Sequence, residues 1–171
     1  MGGSARHERA WVRDAQAGSA SGIEALFRAY WPQSYRAAYL VVHDEAASED
    51  IVQEAFLAAI RRLDSFDRRR PFGPWLHRIV VNRAIDWVRA RQLRAEAELV
   101  EAVAPERLVD VSDDTVAALA CLTPEHRAVI VLRHLLGYTP AEISELLNLP
   151  RGTVNSRLRR GLDTLKEQLR A

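Results

Sequence analysis

The sequence predicts an all-α fold of two small helical domains joined by an acidic linker. Three observations predict it. Apolar residues recur at helical spacing nearly everywhere, and no run alternates as a half-buried strand would. Helix-start signals recur along the chain: Ser48 before Glu49-Asp50, Thr123-Pro124-Glu125, and Thr139-Pro140. Between Leu93 and Asp114 the chain reads LRAEAELVEAVAPERLVDVSDD, rich in acids and interrupted by Pro105, the composition of a linker.

The N-terminal domain (1–92) is expected to hold helices at 8–17, 23–42, 47–63 and 72–92. Pro32 falls inside the second and should kink or split it. In the third, Val52, Ala55, Phe56, Ala59 and Leu63 form a core stripe, and in the fourth Leu76, Ile79, Val80, Ala84 and Trp87 do so. After the linker (93–114), the C-terminal domain (115–171) should contain helices at 115–121, 124–136, 140–147 and 153–169. The single cysteine, Cys121, sits in the apolar run VAALACL and is expected to be buried as a small hydrophobe.

Composition excludes several classes. One cysteine cannot build a disulfide framework or a cysteine metal site within one chain, and the five histidines form no H-x-x-x-H pattern. No metal and no cofactor are therefore expected. No apolar run approaches the roughly 20 residues needed to span a bilayer, and MGGSARHERAW lacks a signal-peptide core, so a cytoplasmic location is expected. The formal net charge of +1 averages over segments of opposite sign. From Asp44 to Glu54 there are five acids and no base, whereas from Arg68 to Arg91 there are seven arginines against Asp86. A second basic segment, Arg151 to Arg170, carries six bases against Asp163 and Glu167. Two basic segments separated by an acidic one point to two binding surfaces.

The segment TPAEISELLNLPRGTVNSRLRRGLDTL carries the most information. A short helix with Ile143, Leu146 and Leu147 on one face is followed by Asn148-Leu149-Pro150-Arg151-Gly152 and a second helix from Thr153. This is the helix-turn-helix arrangement, whose second helix enters the DNA major groove. Val154, Leu158, Leu162, Leu165 and Leu169 share the buried face, with Gly161 allowing close approach. Asn155, Ser156, Arg159 and Arg160 fall opposite. Arginine pairs with the O6/N7 edge of guanine, asparagine with adenine, and serine with either. Arg151, Thr153 and Arg157 flank that patch and suit phosphate contacts.

In SEDIVQEAFLAAIRRLDSF, Asp50, Gln53, Glu54 and Arg61 lie opposite the core stripe with Leu57 among them. Such a face suits docking on a basic partner helix. A catalytic reading of the two carboxylates lacks a nucleophile, metal ligand or pocket signal beside them.

The three motifs together, DIVQEAFLAAIRRLDSF, FGPWLHRIVVNRAIDWVR and LTPEHRAVIVLRHLLGYTPAEISELLNLPRGTVNSRLRRGL, resemble the bacterial extracytoplasmic-function sigma factors, which retain sigma regions 2 and 4. The resemblance covers about 20–92 and 115–170, in the family's order. It implies that Asp50, Gln53 and Glu54, matching D-x-x-Q-E, dock on the β′ clamp coiled coil of core RNA polymerase. It implies that Phe66, the loop to Phe72, Trp75 and Asn82 melt and read the −10 element, and that the helix from Thr153 reads the −35 element. The outer surface of the second domain would meet the β flap, the polymerase would supply the chemistry, and an anti-sigma factor would cover the same surfaces. Two features depart from the family pattern: the chain turns acidic after Arg94, and Arg83 falls inside the apolar arc of its helix, where it must snorkel or the helix must bend.

Read by its own residues, the stretch RRRPFGPWLHRIVVNRAIDW places Trp75, Arg78, Asn82 and Arg89 on one side, away from the core arc. An aromatic face, two cations and an amide are what a single strand needs for stacking, charge and base-edge contact. Arg68, Arg69 and Arg70 would track the backbone of that strand. A stand-alone helix-turn-helix regulator accounts equally well for the C-terminal half. It leaves the acidic stripe and this aromatic-basic helix without a role. An all-helical enzyme or scaffold with merely solvated basic helices is the third reading.

Overall fold

The computed structural model describes residues 2–98 and 113–168, and every regular element among them is helical. The helices are α1 (Gly2–Gln16), α2 (Ala20–Val42), α3 (Glu45–Arg61), α4 (Phe72–Glu98), α5 (Asp113–Ala120), α6 (Pro124–Ile130), α7 (Pro140–Leu147) and α8 (Arg151–Gln168). A 3₁₀ turn, Leu63–Ser65, follows α3, and a π-helical turn, Val131–Leu135, prolongs α6.

Capping chemistry explains most boundaries. Thr139 and Glu142 form a reciprocal capping box at α7, and the Thr123 side chain accepts from the His126 N–H at α6. At α3 the cap is Asp44, not Ser48: its carboxylate accepts from the Ala47 N–H at 3.0 Å, so the helix starts at Glu45. Ser48 is buried and donates its hydroxyl back to the Asp44 carbonyl. Helix α2 runs through Pro32 without splitting, and the proline is exposed on the solvent side. Helix α4 continues past residue 92 to Glu98, into the segment expected to be linker. Its sequence there, RQLRAEAE, consists of strong helix formers, and Pro105 acts only later. The rest of the linker, 99–112, lies outside the described residues.

Helices α1–α4 form the N-terminal domain. At Gly22 a Cβ would lie 2.6 Å from the Ala15 amide nitrogen, so α1 and α2 touch backbone to backbone. Val52, Ala55, Phe56, Ala59 and Leu63 are buried as their spacing predicts. On α4 the outcome differs. Leu76, Val80 and Ala84 are buried, Ile79 and Trp87 only partly, and Val81, Ile85 and Val88 are buried on the flank. The cause is tertiary. Helix α4 packs on α2 and α3 on one side and on α6 and α7 of the C-terminal domain on another, so its apolar surface exceeds a single stripe.

In the C-terminal domain Val116, Leu119, Ala128, Leu132, Ile143, Val154 and Leu158 build a core continuous with the first. Gly161 lets α8 sit on Ile130 of α6, where a Cβ would come within 3.2 Å. Cys121, expected to be buried, is exposed. It lies just beyond the end of α5, where Leu119 and Leu122 take the interior positions instead.

Candidate nucleic-acid and partner interfaces

Three surfaces carry the residues singled out by sequence. The first is α8. Asn148 closes α7 in a left-handed conformation (φ 51°), and the Pro150 carbonyl accepts from the Thr153 and Val154 amides. The second helix therefore begins at Arg151, not at Thr153. Val154 and Leu158 point into the core, while Arg151, Asn155, Arg159 and Arg160 are exposed and Thr153, Ser156 and Arg157 are half-buried. The four predicted readers and the three predicted phosphate contacts thus all lie off the buried face of α8 and retain access to solvent. Arg157 and Arg160 also approach α6, where, after desolvation by burial, their positive charges lower the pKa of His126.

The second surface is α3. Asp50, Gln53, Glu54 and Arg61 are exposed, and Leu57 among them is 52% exposed. Gln53 Nε2 donates to Glu49 Oε1 at 3.1 Å. Arg83 resolves its own puzzle here: it snorkels out of the apolar arc of α4, and its Nη1 donates to Glu54 Oε2 at 2.8 Å. Ile60 on the same helix and Phe27 on α2 are also partly exposed, extending an apolar seam beside the carboxylates.

The third surface is the start of α4 with the loop before it. Arg68, Arg69 and Arg70 are exposed, and Arg69 pairs with Asp67 at 3.0 Å. Hydrogen bonds from the Arg69 side chain and backbone hold the Asp67 carboxyl below its ordinary range. Trp75 is half-buried, with Arg78 exposed and Asn82 half-buried beside it. Phe66, expected to read DNA, is instead 9% exposed. Its ring lies 4.6 Å from Trp75 and 5.9 Å from Phe72, so it backs the tryptophan from the interior. Glu8 of α1 braces this corner: its Oε1 accepts from the Phe72 N–H at 2.9 Å, and its other oxygen accepts from the Tyr30 hydroxyl.

The C-terminal domain lies against this third surface. Arg89, expected to face DNA, donates to Glu125 of α6 at 2.7 and 2.9 Å. Burial works to raise the Glu125 carboxyl, but the Arg89 hydrogen bond, a backbone N–H and the charges of Arg89 and Arg157 together outweigh it, leaving the group below its ordinary value. A cleft of about 720 Å³ opens between Trp75, Arg70 and Arg78 on one side and Glu142, Glu145 and Leu146 of α7 on the other. Arg127, 7% exposed, fastens the two domains. Its guanidinium donates to the Leu119, Ala120 and Leu122 carbonyls at the end of α5 and to the Val41 carbonyl at the end of α2. Two helix C-termini thus share one cation, which suits the negative end of each helix dipole. Burial lowers the Arg127 pKa to about 10.

Arg127, Glu142 and Glu145 carry no functional signal in the sequence, and Glu125 carries one only for the start of a helix. Arg127 lies at the edge of the apolar run AVIVL, after Glu125-His126, where an arginine is ordinary, so local sequence carried no signal for it.

A helix-turn-helix with exposed arginines, on a chain that also carries an acidic face and an aromatic-basic face, is the build of a DNA-binding protein. Comparisons with known proteins narrow the class. Residues 26–94 match Sigma-70 region 2 and residues 112–165 match Sigma-70, region 4. The chain is 32% identical over 177 residues to the ECF RNA polymerase sigma factor SigW of Bacillus subtilis, covering 93% of this chain and 95% of that protein. It is 34% identical over 170 residues to the ECF sigma factor SigM of Mycobacterium tuberculosis, covering 94% and 85%. Among solved structures, CnrH in complex with the cytosolic domain of CnrY matches with a TM-score of 0.73 and 27% identity, over 95% of this chain and 97% of that one. The chain belongs to the extracytoplasmic-function RNA polymerase sigma factors, which direct transcription initiation.

Proposed function

We propose that this sigma factor divides its work among the three surfaces as follows. Helix α3 docks on the β′ clamp coiled coil of core RNA polymerase through Asp50, Gln53, Glu54, Leu57 and Arg61. The α4 corner opens and reads the −10 element, with Trp75 stacking on a base, Asn82 contacting base edges, and Arg68, Arg69, Arg70, Arg78 and Arg89 neutralising the strand. Phe66 supports Trp75 from behind. Helix α8 reads the −35 element through Asn155, Ser156, Arg159 and Arg160, with Arg151, Thr153 and Arg157 on phosphates, while the outer face of its domain meets the β flap.

The domains follow the same division: 1–92 for docking and the −10 element, 93–114 as connection, and 115–171 for the −35 element. The chain supplies no active site and works in the cytoplasm. An anti-sigma partner fits the same surfaces: the Bartonella quintana sigma factor RpoE, 23% identical, was solved in complex with the anti-sigma factor NepR.

The observation that carries this reading over a stand-alone regulator is the exposed Leu57 amid the exposed Asp50, Gln53 and Glu54. A regulator that binds duplex DNA by itself has no use for that face. Run-off transcription with core polymerase on a promoter library tests it. A bipartite motif with a fixed spacer should be enriched, and an Asp50→Ala/Glu54→Ala variant should lose both core binding and transcription. Sequence-specific duplex binding by the chain alone, with no association with core polymerase, would overturn it.

A further inference from the structure

We propose that the seating of the C-terminal domain on the α4 face is an autoinhibitory contact that acid releases through His43 and His77. The inference rests on the reading of that face as the −10 reader. Two observations place an inhibitory contact there. Arg89 is occupied by Glu125, and the cleft beside Trp75 and Arg78 is walled by Glu142 and Glu145. Carboxylates thus stand where phosphates would stand, so a strand and the C-terminal domain compete for one basic surface.

Two histidines sit at the seam. His77, on α4, is 3% exposed, and its Nδ1 lies 2.7 Å from the hydroxyl of Tyr138, which belongs to the C-terminal domain. Its Nε2 is buried without a hydrogen-bond partner. On its own domain the ring faces Tyr30, whose hydroxyl is committed to Glu8. His43 closes α2 in the left-handed conformation (φ 57°), and its Nε2 is likewise buried without a partner. It senses the positive charge of Arg127 of α6, the residue that reaches the neighbouring Val41 carbonyl. The adjacent Asp44 carboxylate is held by Arg91 at 3.1 Å. Neither Nε2 therefore has an acceptor waiting for a second proton, and although a hydrogen bond to the Leu40 backbone favours the charged ring of His43, that ring would stand beside a buried guanidinium.

The docked state accordingly disfavours both imidazolium forms. Burial lowers His77 to about 4, and burial followed by the Arg127 charge lowers His43 to about 4, from an ordinary value of 6.5. Well above pH 6.5 both rings are neutral whether the domains are docked or apart, and docking is at full strength. Between about pH 6.5 and 4 only the separated state takes up protons, so docking weakens as pH falls. At pH 5.5 these values shift the docking equilibrium about tenfold for each histidine.

Small-angle X-ray scattering of the full chain at pH 7.5 and 5.5, with circular dichroism alongside, reads the change. The radius of gyration should rise at pH 5.5 with helicity unchanged, and a His43→Gln/His77→Gln variant should stay compact. A chain equally compact at both pH values, or a double variant that expands like the parent, overturns the proposal. Should the variant fail to fold, the imidazole resonances of the unaltered chain decide. Midpoints drawn well below 6.5 by the docked state agree with the latch, and midpoints near 6.5 overturn it. None of these measurements involves polymerase or promoter, so a pH-insensitive chain that still directs promoter-specific transcription refutes only the latch.

Discussion

The two candidate DNA surfaces of this sigma factor are built from similar residues and held in opposite states. On α8 the reading side chains project from a helix whose other face is buried, and Arg151, Asn155, Arg159 and Arg160 are open to solvent. On α4 the corresponding arginine is paired, the supporting phenylalanine is interior, and two glutamates of α7 face the tryptophan across a cleft. On the reading proposed above, the α8 face is open to a duplex as it stands, whereas the α4 face would open to a strand only once the second domain had moved away. Stacking groups left exposed without a strand would offer an apolar surface to any partner.

The comparison is most severely tested at Arg127, which joins the domains yet also closes α5. Arg127→Met would leave buried carbonyls without a donor, a loss of about 3 kcal/mol. Urea unfolding of the full chain should register it as a lower midpoint, and an unchanged midpoint would mean that the four bonds contribute nothing net. Arg160→Ala, on the open surface, should leave stability alone. It should cost about 1–3 kcal/mol of −35 discrimination for a bidentate guanine contact. Competition binding of the holoenzyme to intact and base-substituted promoters measures this, and uniform weakening on every sequence would reassign Arg160 to a phosphate. The smallest effect belongs to the Arg89–Glu125 pair, which is partly solvated. A double-mutant cycle with Arg89→Gln and Glu125→Gln should give a coupling below about 1 kcal/mol in stability. The two single variants should nevertheless diverge in transcription. Glu125→Gln frees a cation for the strand, and Arg89→Gln removes it. Equal behaviour of the two would place Arg89 outside the −10 contact.

Most of the fold was legible because helices announce themselves locally. Periodicity located α2, α3, α7 and α8, and threonine-proline-acid strings marked the starts of α6 and α7. Asp44 displaced Ser48 as the α3 cap because the latter turned inward, and α4 outran its expected end because helix-forming residues preceded the proline. Phe66 and Trp75 are both aromatic residues flanking a basic loop, and no local pattern distinguishes the one that is buried from the one that lines the cleft. Cys121 and Leu122 are adjacent in one apolar run, and only the end of α5 decides which faces inward.

The sequence by itself determined the helices, the helix-turn-helix, the acidic stripe of α3 and the family, because each is written in spacings of three to five residues or in an ordered string of motifs. Only the tertiary structure decided that α4 is buried on two sides, that Arg127 bridges two helix ends from different domains, and that Arg89 is spent on Glu125. Those contacts join residues 36 and 86 positions apart. No short-range periodicity constrains such pairs; shape, charge and the desolvation of a few buried polar groups select them once the helices have formed.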